Sequence, residues 1–596
     1  MATKYWVGGS GTWDASTTTN WADSSGGAGG AVAPTAADDV IFDAASNTGT
    51  SAFTVTIGVG AVCQDFSTGG AGGALDGVMT LAGTDAWSVY GSLTFPATNL
   101  TRTYTGTITF AATTTGKTIT TNGVTLTGGS IVFDGVGGGW TLSSALTVTT
   151  NITVTNGAFA TANFAVTAAS LSSSNSNTRS ISLGSSTVTL SGATPVVFTT
   201  PTNLTFSAGT STITCSGASP TFAGGGLTFN NVSFNTTGAS AKTITGTNTF
   251  NNFNVTSTTG TRETFVVFGA NQIVGGTLTF GAANQAIRRI RVNSDVIGTP
   301  RTLTVTTIAA LADVDFRDII AAGASAPWSG TRLGDCLGNT GITFAAGVNK
   351  YWNLAAGGGW SATAWALSSG GAVAVNNFPL AQDTAIIENT GLTAGSTITF
   401  NNSWQIGKID ASTRTAAAGL AFSAGVSLYK DMTLSSSLTL SGTTNFTIAG
   451  RGTQTITSAG LTYTNPITVA SAGTVAFADT LTVSNTVTFE SGTLQLKNGA
   501  TSTVTAFATS GTTQKVLRST LAGSQATLSQ ASGVVNATYT TIQDINATGG
   551  ATWNAYVDSN NIDAGNNDGW DFGISPIIGG AEYTYQLRSF TQTRRF

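Results

Sequence analysis

The chain has 596 residues, of which 8% are charged and 40% hydrophobic, with a net charge of −4 and no histidine. That length exceeds one compact core and the hydrophobicity exceeds that of disordered chains, so several domains or an elongated repeat structure is expected. A mildly acidic balance without Lys/Arg clusters excludes the electrostatic footprint of a nucleic-acid binder, and the missing histidine removes the commonest general base and metal ligand.

Abundant Thr, Val, Ile, Phe, Ser and Gly read as short strands separated by tight turns. Seventy-five glycines without a Gly-X-Y period exclude collagen. Cys63, Cys215 and Cys336 are odd in number and far apart, which fits neither a disulfide framework nor a metal knuckle. The N-terminus shows no apolar leader, and no stretch approaches the roughly 18 apolar residues of a membrane span. Neither export nor membrane insertion is expected, and synthesis and assembly are expected in a cytosol.

Residues 1–97 form a Trp-rich opening module. "KYWVGGSGTWDASTTTNW" carries Trp6, Trp13 and Trp21, and "PTAADDVIF" follows, a turn leading into a strand with Val40 and Phe42 inward. Residues 98–285 read as β-solenoid repeats. "STVTLSG" at Ser186 recurs as "STITCSG" at Ser211, and "LTFNNVSF" and "NTFNNFNV" place Phe229 and Phe250 at matching positions. A repeat near 20 to 25 residues with Gly-containing turns suits a β-helix coil, with Val188, Leu190, Leu227 and Phe229 inward and Thr/Ser outward. The "FNN" asparagines are open to two readings, a hydrogen-bonded ladder along the axis or plain turn residues.

Residues 286–346 form a closing module, with "DVDFRDI" and "NTGITF". The plan then starts again. Residues 347–430 are a second Trp-rich opening, with Trp352, Trp360, Trp365 and "PLAQDTAII"; 431–512 are again solenoid repeats; 513–573 close with "YTTIQDI" and "NNDGWDF". Gly298 precedes Asp318 much as Gly523 precedes Asp544. The fold class expected is therefore all-β: β-helix or solenoid-like repeats with capping modules, in two tandem diverged copies. Because a solenoid coil touches only its neighbours, the middles can differ in length while both ends persist. The tryptophans are expected to cap the exposed first coil of each copy, since large rigid aromatics supply a small core where the coil has none.

The motif "YWVGGSGTWD…NW…PTAADDVIFD", the "TFNN" coils and the ending "GGATWNAYVDSNNIDAGNNDGWDF" resemble low-complexity β-rich proteins of tailed phages and prophages, often virion or tail-associated. The resemblance spans nearly the whole chain to Phe572 and implies a phage structural or fibre protein, with no catalytic residues attached. The opening motif is also loosely similar to the strand repeats of exported bacterial adhesins.

A phage β-helix that cleaves glycans needs two carboxylates across the sugar. Asp313 and Asp315 are the candidate pair, read as sharing a strand face, but the second closing keeps only Asp544, which favours a turn role for Asp318 and Asp544. "DSNNIDAGNND" offers Asp558, Asn560, Asp563, Asn566 and Asp568, dense enough for calcium but without EF-hand spacing; an Asx-rich turn is the simpler reading. Residues 574–596 are a C-terminal arm, in which Tyr583, Tyr585, Arg588, Phe590 and Phe596 are expected to dock on a neighbouring subunit by strand addition.

The expected function is a non-enzymatic structural protein of a bacteriophage virion: a fibre, spike or surface decoration, with a share in host-surface attachment. The alternatives are a polysaccharide depolymerase tailspike and a bacterial surface adhesin. No catalytic residue, metal or cofactor is assigned. Expected partners are other virion proteins, further copies of the chain with a trimer favoured, and a host surface glycan; nucleic acid is not among them. The expected location is the virion, assembled in host cytoplasm.

Overall fold

In the computed structural model the described residues are 2–47, 49–70, 72–235, 241–257, 264–282 and 287–575. They form a β-solenoid of about 23 turns, with 49% of residues in strands and no α-helix. The arm residues Tyr583, Tyr585, Arg588, Phe590 and Phe596 lie outside the described residues.

Stacking follows from the alternation in sequence. Val166, Val188, Ile213, Val232, Phe253 and Leu278 pair in register from coil to coil, all buried, as one inward apolar column. Their immediate neighbours Thr167, Thr189, Thr214, Ser233, Asn254 and Thr279 form the adjacent outward column. The sequence repeats land in register here: Thr187 pairs with Thr212 and Phe229 with Phe250. Leu227, just before the strand Thr228–Asn235, keeps the alternation at its edge, half-buried against the core beside the exposed Thr228. Glycine is required where corners close tightly. A Cβ on Gly129 would sit 1.6 Å from the Gly106 carbonyl oxygen of the previous coil.

The "FNN" asparagines lie within strands and form ladders. Asn252 Nδ2 donates to Asn231 Oδ1 at 2.8 Å, and Asn231 Nδ2 to Thr212 Oγ1 at 3.3 Å. Asn252 Oδ1 accepts the Thr277 amide at 2.8 Å, so this ladder crosses four coils.

The turns fall into two stacks. Strands up to Gly334–Asp335 pair only among themselves, as do those from Asn349–Trp352 onward. Each stack has its own apolar core, one running from Trp6 to Leu333 and the other from Trp352 to Ala555. Nearly every ladder is parallel, as coil-on-coil stacking demands. The two antiparallel ladders among the described residues mark the starts of the stacks. In the first, β1 (Thr3–Trp6) and β2 (Gly11–Trp13) begin the stack, and β3 (Trp21–Ala22) turns back along β1 with Trp6 opposite Trp21. The other edge of β1 pairs in parallel with β4 (Asp39–Phe42). The second stack repeats this plan: Trp352 lies opposite Trp365, while Asn349–Tyr351 pairs in parallel with Thr384–Ile386.

Candidate functional site

Three places were singled out by their residues: the tryptophans, the carboxylates and the turn-rich end. In the first opening Trp6, Trp13 and Trp21 are fully buried. Trp21 meets Trp6 edge-to-face at 5.0 Å and Trp13 at 5.4 Å. The second opening has the same arrangement, with Trp365 at 5.1 Å from Trp352 and 4.7 Å from Trp360. Three of the six polar ends are absorbed locally: Trp6 Nε1 donates to Gly9 O, Trp352 Nε1 to Leu354 O and Trp365 Nε1 to Trp360 O, while the indole N–H groups of Trp13, Trp21 and Trp360 are buried without an acceptor among the described residues. No indole face among the six is open to stack on a sugar, because all are buried.

The carboxylates are committed elsewhere. Asp313 is not on the strand face with Asp315: its φ of +60° places it in the left-handed region just before the strand Val314–Arg317, so strand alternation does not apply to it. Arg289 grips Asp315 through two hydrogen bonds of 2.6 Å and lies 3.4 Å from Asp313. Arg332 binds both oxygens of Asp313 at 2.7 and 2.8 Å, and this hydrogen bonding raises the Arg332 pKa above its ordinary value. Two guanidinium groups hold both acids, and both carboxylates are buried, so neither is presented to a sugar. In the second closing, the strand pairing puts Gln514 where Arg289 stands and Thr541 where Asp315 stands, and a neutral hydrogen bond of 3.0 Å between them replaces the ion pair.

Asp318 and Asp544 have φ values of +58° and +57°. Each accepts the amide of a glycine one coil back, Gly298 at 3.0 Å and Gly523 at 3.1 Å. The oxygen atoms in 558–568 are likewise occupied by turns: Asp563 accepts the Gly565 amide and Asn567 Nδ2, Asp568 accepts Gln525 Nε2, and Asn566 donates to Asp544. No group of three or more His, Cys, Asp or Glu side chains among the described residues is placed to hold a metal ion. The three cysteines are buried and in no disulfide, and desolvation raises the Cys63 and Cys215 thiols well above their ordinary range.

The principal unanticipated feature is a joint between the stacks. Gln382 acts as a pseudo-strand, accepting the Asp335 amide at 3.0 Å and donating to Leu333 O at 2.9 Å along the last paired strand of the first stack. Lys430 Nζ in turn donates to Gln382 O at 2.9 Å. Arg451 Nη2 lies 2.7 Å from Asp318 Oδ1, and a Cβ on Gly298 would touch Ala472 at 2.7 Å. Cys336, Leu337, Ala381, Tyr429 and Ala449 make a small apolar cluster at the centre. Later coils of the second stack meet earlier coils of the first, so the stacks run in opposite senses across the joint. Only an alignment of the two closings would have flagged it, since Gly338 stands where Asn566 does.

The exposed flanks carry shallow concavities. One, of about 590 Å³, is lined by Thr115, Val136, Gly137, Asn156, Asn177 and Arg179. Its cation is not free: Arg179 donates to Ser173 Oγ and to the carbonyls of Ser173, Asn177, Thr200 and Thr202, and burial lowers its pKa. What remains to a ligand is neutral amide, hydroxyl and backbone surface beside the exposed Val136. No protein-family model, no curated protein and no solved structure matches the chain.

Proposed function

We propose that this chain is a non-enzymatic structural protein of a bacteriophage virion, a fibre, spike or surface decoration that shares in host-surface attachment. The observation that carries this reading is the pair of long parallel stacks, each begun by an antiparallel turn-back over buried tryptophans. Such stacks resist unravelling and project a rigid surface. The commitment of Asp313 and Asp315 to Arg289 and Arg332 weighs against a depolymerase built on that pair. Neutral flank surface with Asn156 and Asn177 suits an uncharged host glycan. The two stacks are diverged copies of one plan, a reading supported by the shared register of their openings. Other virion proteins and further copies of the chain are its partners, with the C-terminal arm as an anchor.

The test is to label purified phage particles from the host with antibody against this chain. Decoration of intact particles supports the reading, and its absence from particles that carry the gene's product in the lysate ends it. Incubating the chain with host capsule separates the depolymerase alternative, which requires released oligosaccharide.

A further inference from the structure

The joint has two faces, and each has a counterpart at an outer end of the chain. Strand pairing fixes the correspondence. Val426–Leu428 pairs with Phe446–Ile448, and that strand with Ile467–Val469, as Trp87–Val89 pairs with Ile108–Phe110 and that strand with Ile131–Phe133. Tyr429, Ala449, Arg451 and Ala472 therefore correspond to Tyr90, Ala111, Thr113 and Val136. On the other face, the shared hydrogen bonds of Asp335, Asn339 and Ile319 with those of Asp563, Asn567 and Ile545 equate Gly334, Cys336 and Gly338 with Ile562, Ala564 and Asn566.

At the joint these faces cover each other: Tyr429 and Ala449 are 1% and 2% exposed. At the ends they are uncovered and carry large apolar groups. Ile562 is 51% exposed where Gly334 is buried, and Tyr90 and Ala111 are half-buried; Val136 (71%) and Leu521 (55%) lie at the rim, where their joint counterparts Ala472 and Val296 are exposed as well. Beside Leu521 lies a hollow of about 190 Å³ lined by Gln495, Arg518, Thr520, Ala522, Gln543 and Asp544.

The differences between joint and ends are complementary. The joint sets a long Arg451 against Gly338, whose missing side chain leaves the guanidinium room to reach Asp318. The ends set a short Thr113 against Asn566, whose own amide satisfies Asp544 at 2.6 Å. Charge also differs between joint and ends. The end face of the first stack has Gly91 in place of Lys430 and Thr113 in place of Arg451, with Asp65 alongside accepting the Ser92 amide. On the end face of the second stack Arg518 stands in place of Asn293 and Gln543 in place of its strand partner Arg317, so the cation changes coil without being gained, and Thr520 replaces Asp295. Cations leave the flank of the first stack, and an acid leaves the closing face of the second.

We infer that copies of this chain associate head to tail, the closing face of one (Leu521, Ile562, Ala564) seating on the flank of the next (Tyr90, Ala111, Val136) as the two stacks seat on each other within the chain. Such a contact is heterologous, and it produces a closed ring, a trimer included, or an open fibre according to the rotation per step.

Val136→Asp and Ile562→Asp each spoil one face at an exposed position and leave the core intact, which circular dichroism and melting temperature verify. The full-length chain is expected to gain mass with concentration in sedimentation and light scattering, and each variant alone to stay monomeric. Mixed in equal amounts the two variants retain one good pair of faces between them, so the mass is expected to double and rise no further. Chains bearing Ala111→Cys and Ala564→Cys are expected to form an intermolecular disulfide when mixed with oxidised glutathione, which takes up the two electrons and is reduced to the thiol. A full-length chain that stays monomeric at its solubility limit, or a mixture of variants that does not reach twice the monomer mass, overturns the inference.

Discussion

Arg451, from the second stack, lies 2.7 Å from the fully buried carboxylate of Asp318 at the end of the first. Removing the guanidinium leaves that buried carboxylate with Arg317, 3.5 Å from its other oxygen, and the Gly298 amide. Because Arg451 is itself about one-third exposed, Arg451→Ala is expected to weaken the joint by about 2 kcal/mol, below the cost of breaking a fully buried pair. Adding Gly338→Asn imports the arrangement of Asn566 and Asp544, and asparagine tolerates the φ of +76° at that position. The double variant is expected to regain at least half of the loss, read as hydrogen-exchange protection at the Gly298 and Ile319 amides.

Trp13 touches Trp21, Phe42, Phe66 and Trp87, and so ties the first coil to the ones behind it. Trp13→Ala is expected to cost on the order of 3 to 5 kcal/mol, while Trp13→Phe, which keeps much of the ring contact, costs less. Unfolding is expected to begin in residues 3–68 and leave the second stack intact, which limited proteolysis with mass spectrometry resolves. Equal destabilisation of both stacks contradicts this.

Lys242 points inward from the strand Ala241–Thr245, and burial lowers its pKa from 10.5 to about 8. Between those values the unfolded chain binds more protons than the folded one, so stability rises with pH from about 8 to 10.5 and the penalty is in full force below 8. Lys242→Met is expected to stabilise the protein at neutral pH and to flatten this slope, as measured by denaturant titrations across the interval.

The asparagine ladder gives a graded series. Asn252 makes two ladder bonds of 2.8 Å, whereas Asn254 reaches Ser233 Oγ only at 3.4 Å. Asn252→Ala is expected to cost about 1 to 2 kcal/mol and Asn254→Ala a few tenths, by thermal unfolding. The reverse order would show that packing and not the ladder governs these positions.

What the sequence made legible is whatever repeats. Strand alternation and the recurrence of "STVTLSG" and "FNN" placed Thr187 over Thr212 and Phe229 over Phe250, because coil stacking turns a sequence period directly into a contact. Asp318 and Asp544 were recognisable as turn residues for the same reason. Asp313 was misplaced, since nothing in "DVDF" signals a left-handed backbone at its first residue, and its partner Arg332 comes from a separate turn. The joint was invisible for a related cause. Gln382 and Arg451 act across stacks, where no period links donor to acceptor.

The antiparallel turn-back of β3 on β1 bears on synthesis. It is completed within the first 22 residues, before any coil that stacks behind it has been made. Each later coil bonds to the one just finished, through contacts spanning stretches such as the 19 residues from Ser173 to Val154 or the 27 from Asn203 to Ser176. For a chain this long, such separations make the relative contact order low despite an all-β fold, which removes the usual kinetic handicap of parallel pairing. A ribosome releasing the chain from its N-terminus therefore delivers a finished template first and adds one coil at a time. Only the newest strand edge is ever exposed, and it is the edge that the next twenty or so residues are about to cover.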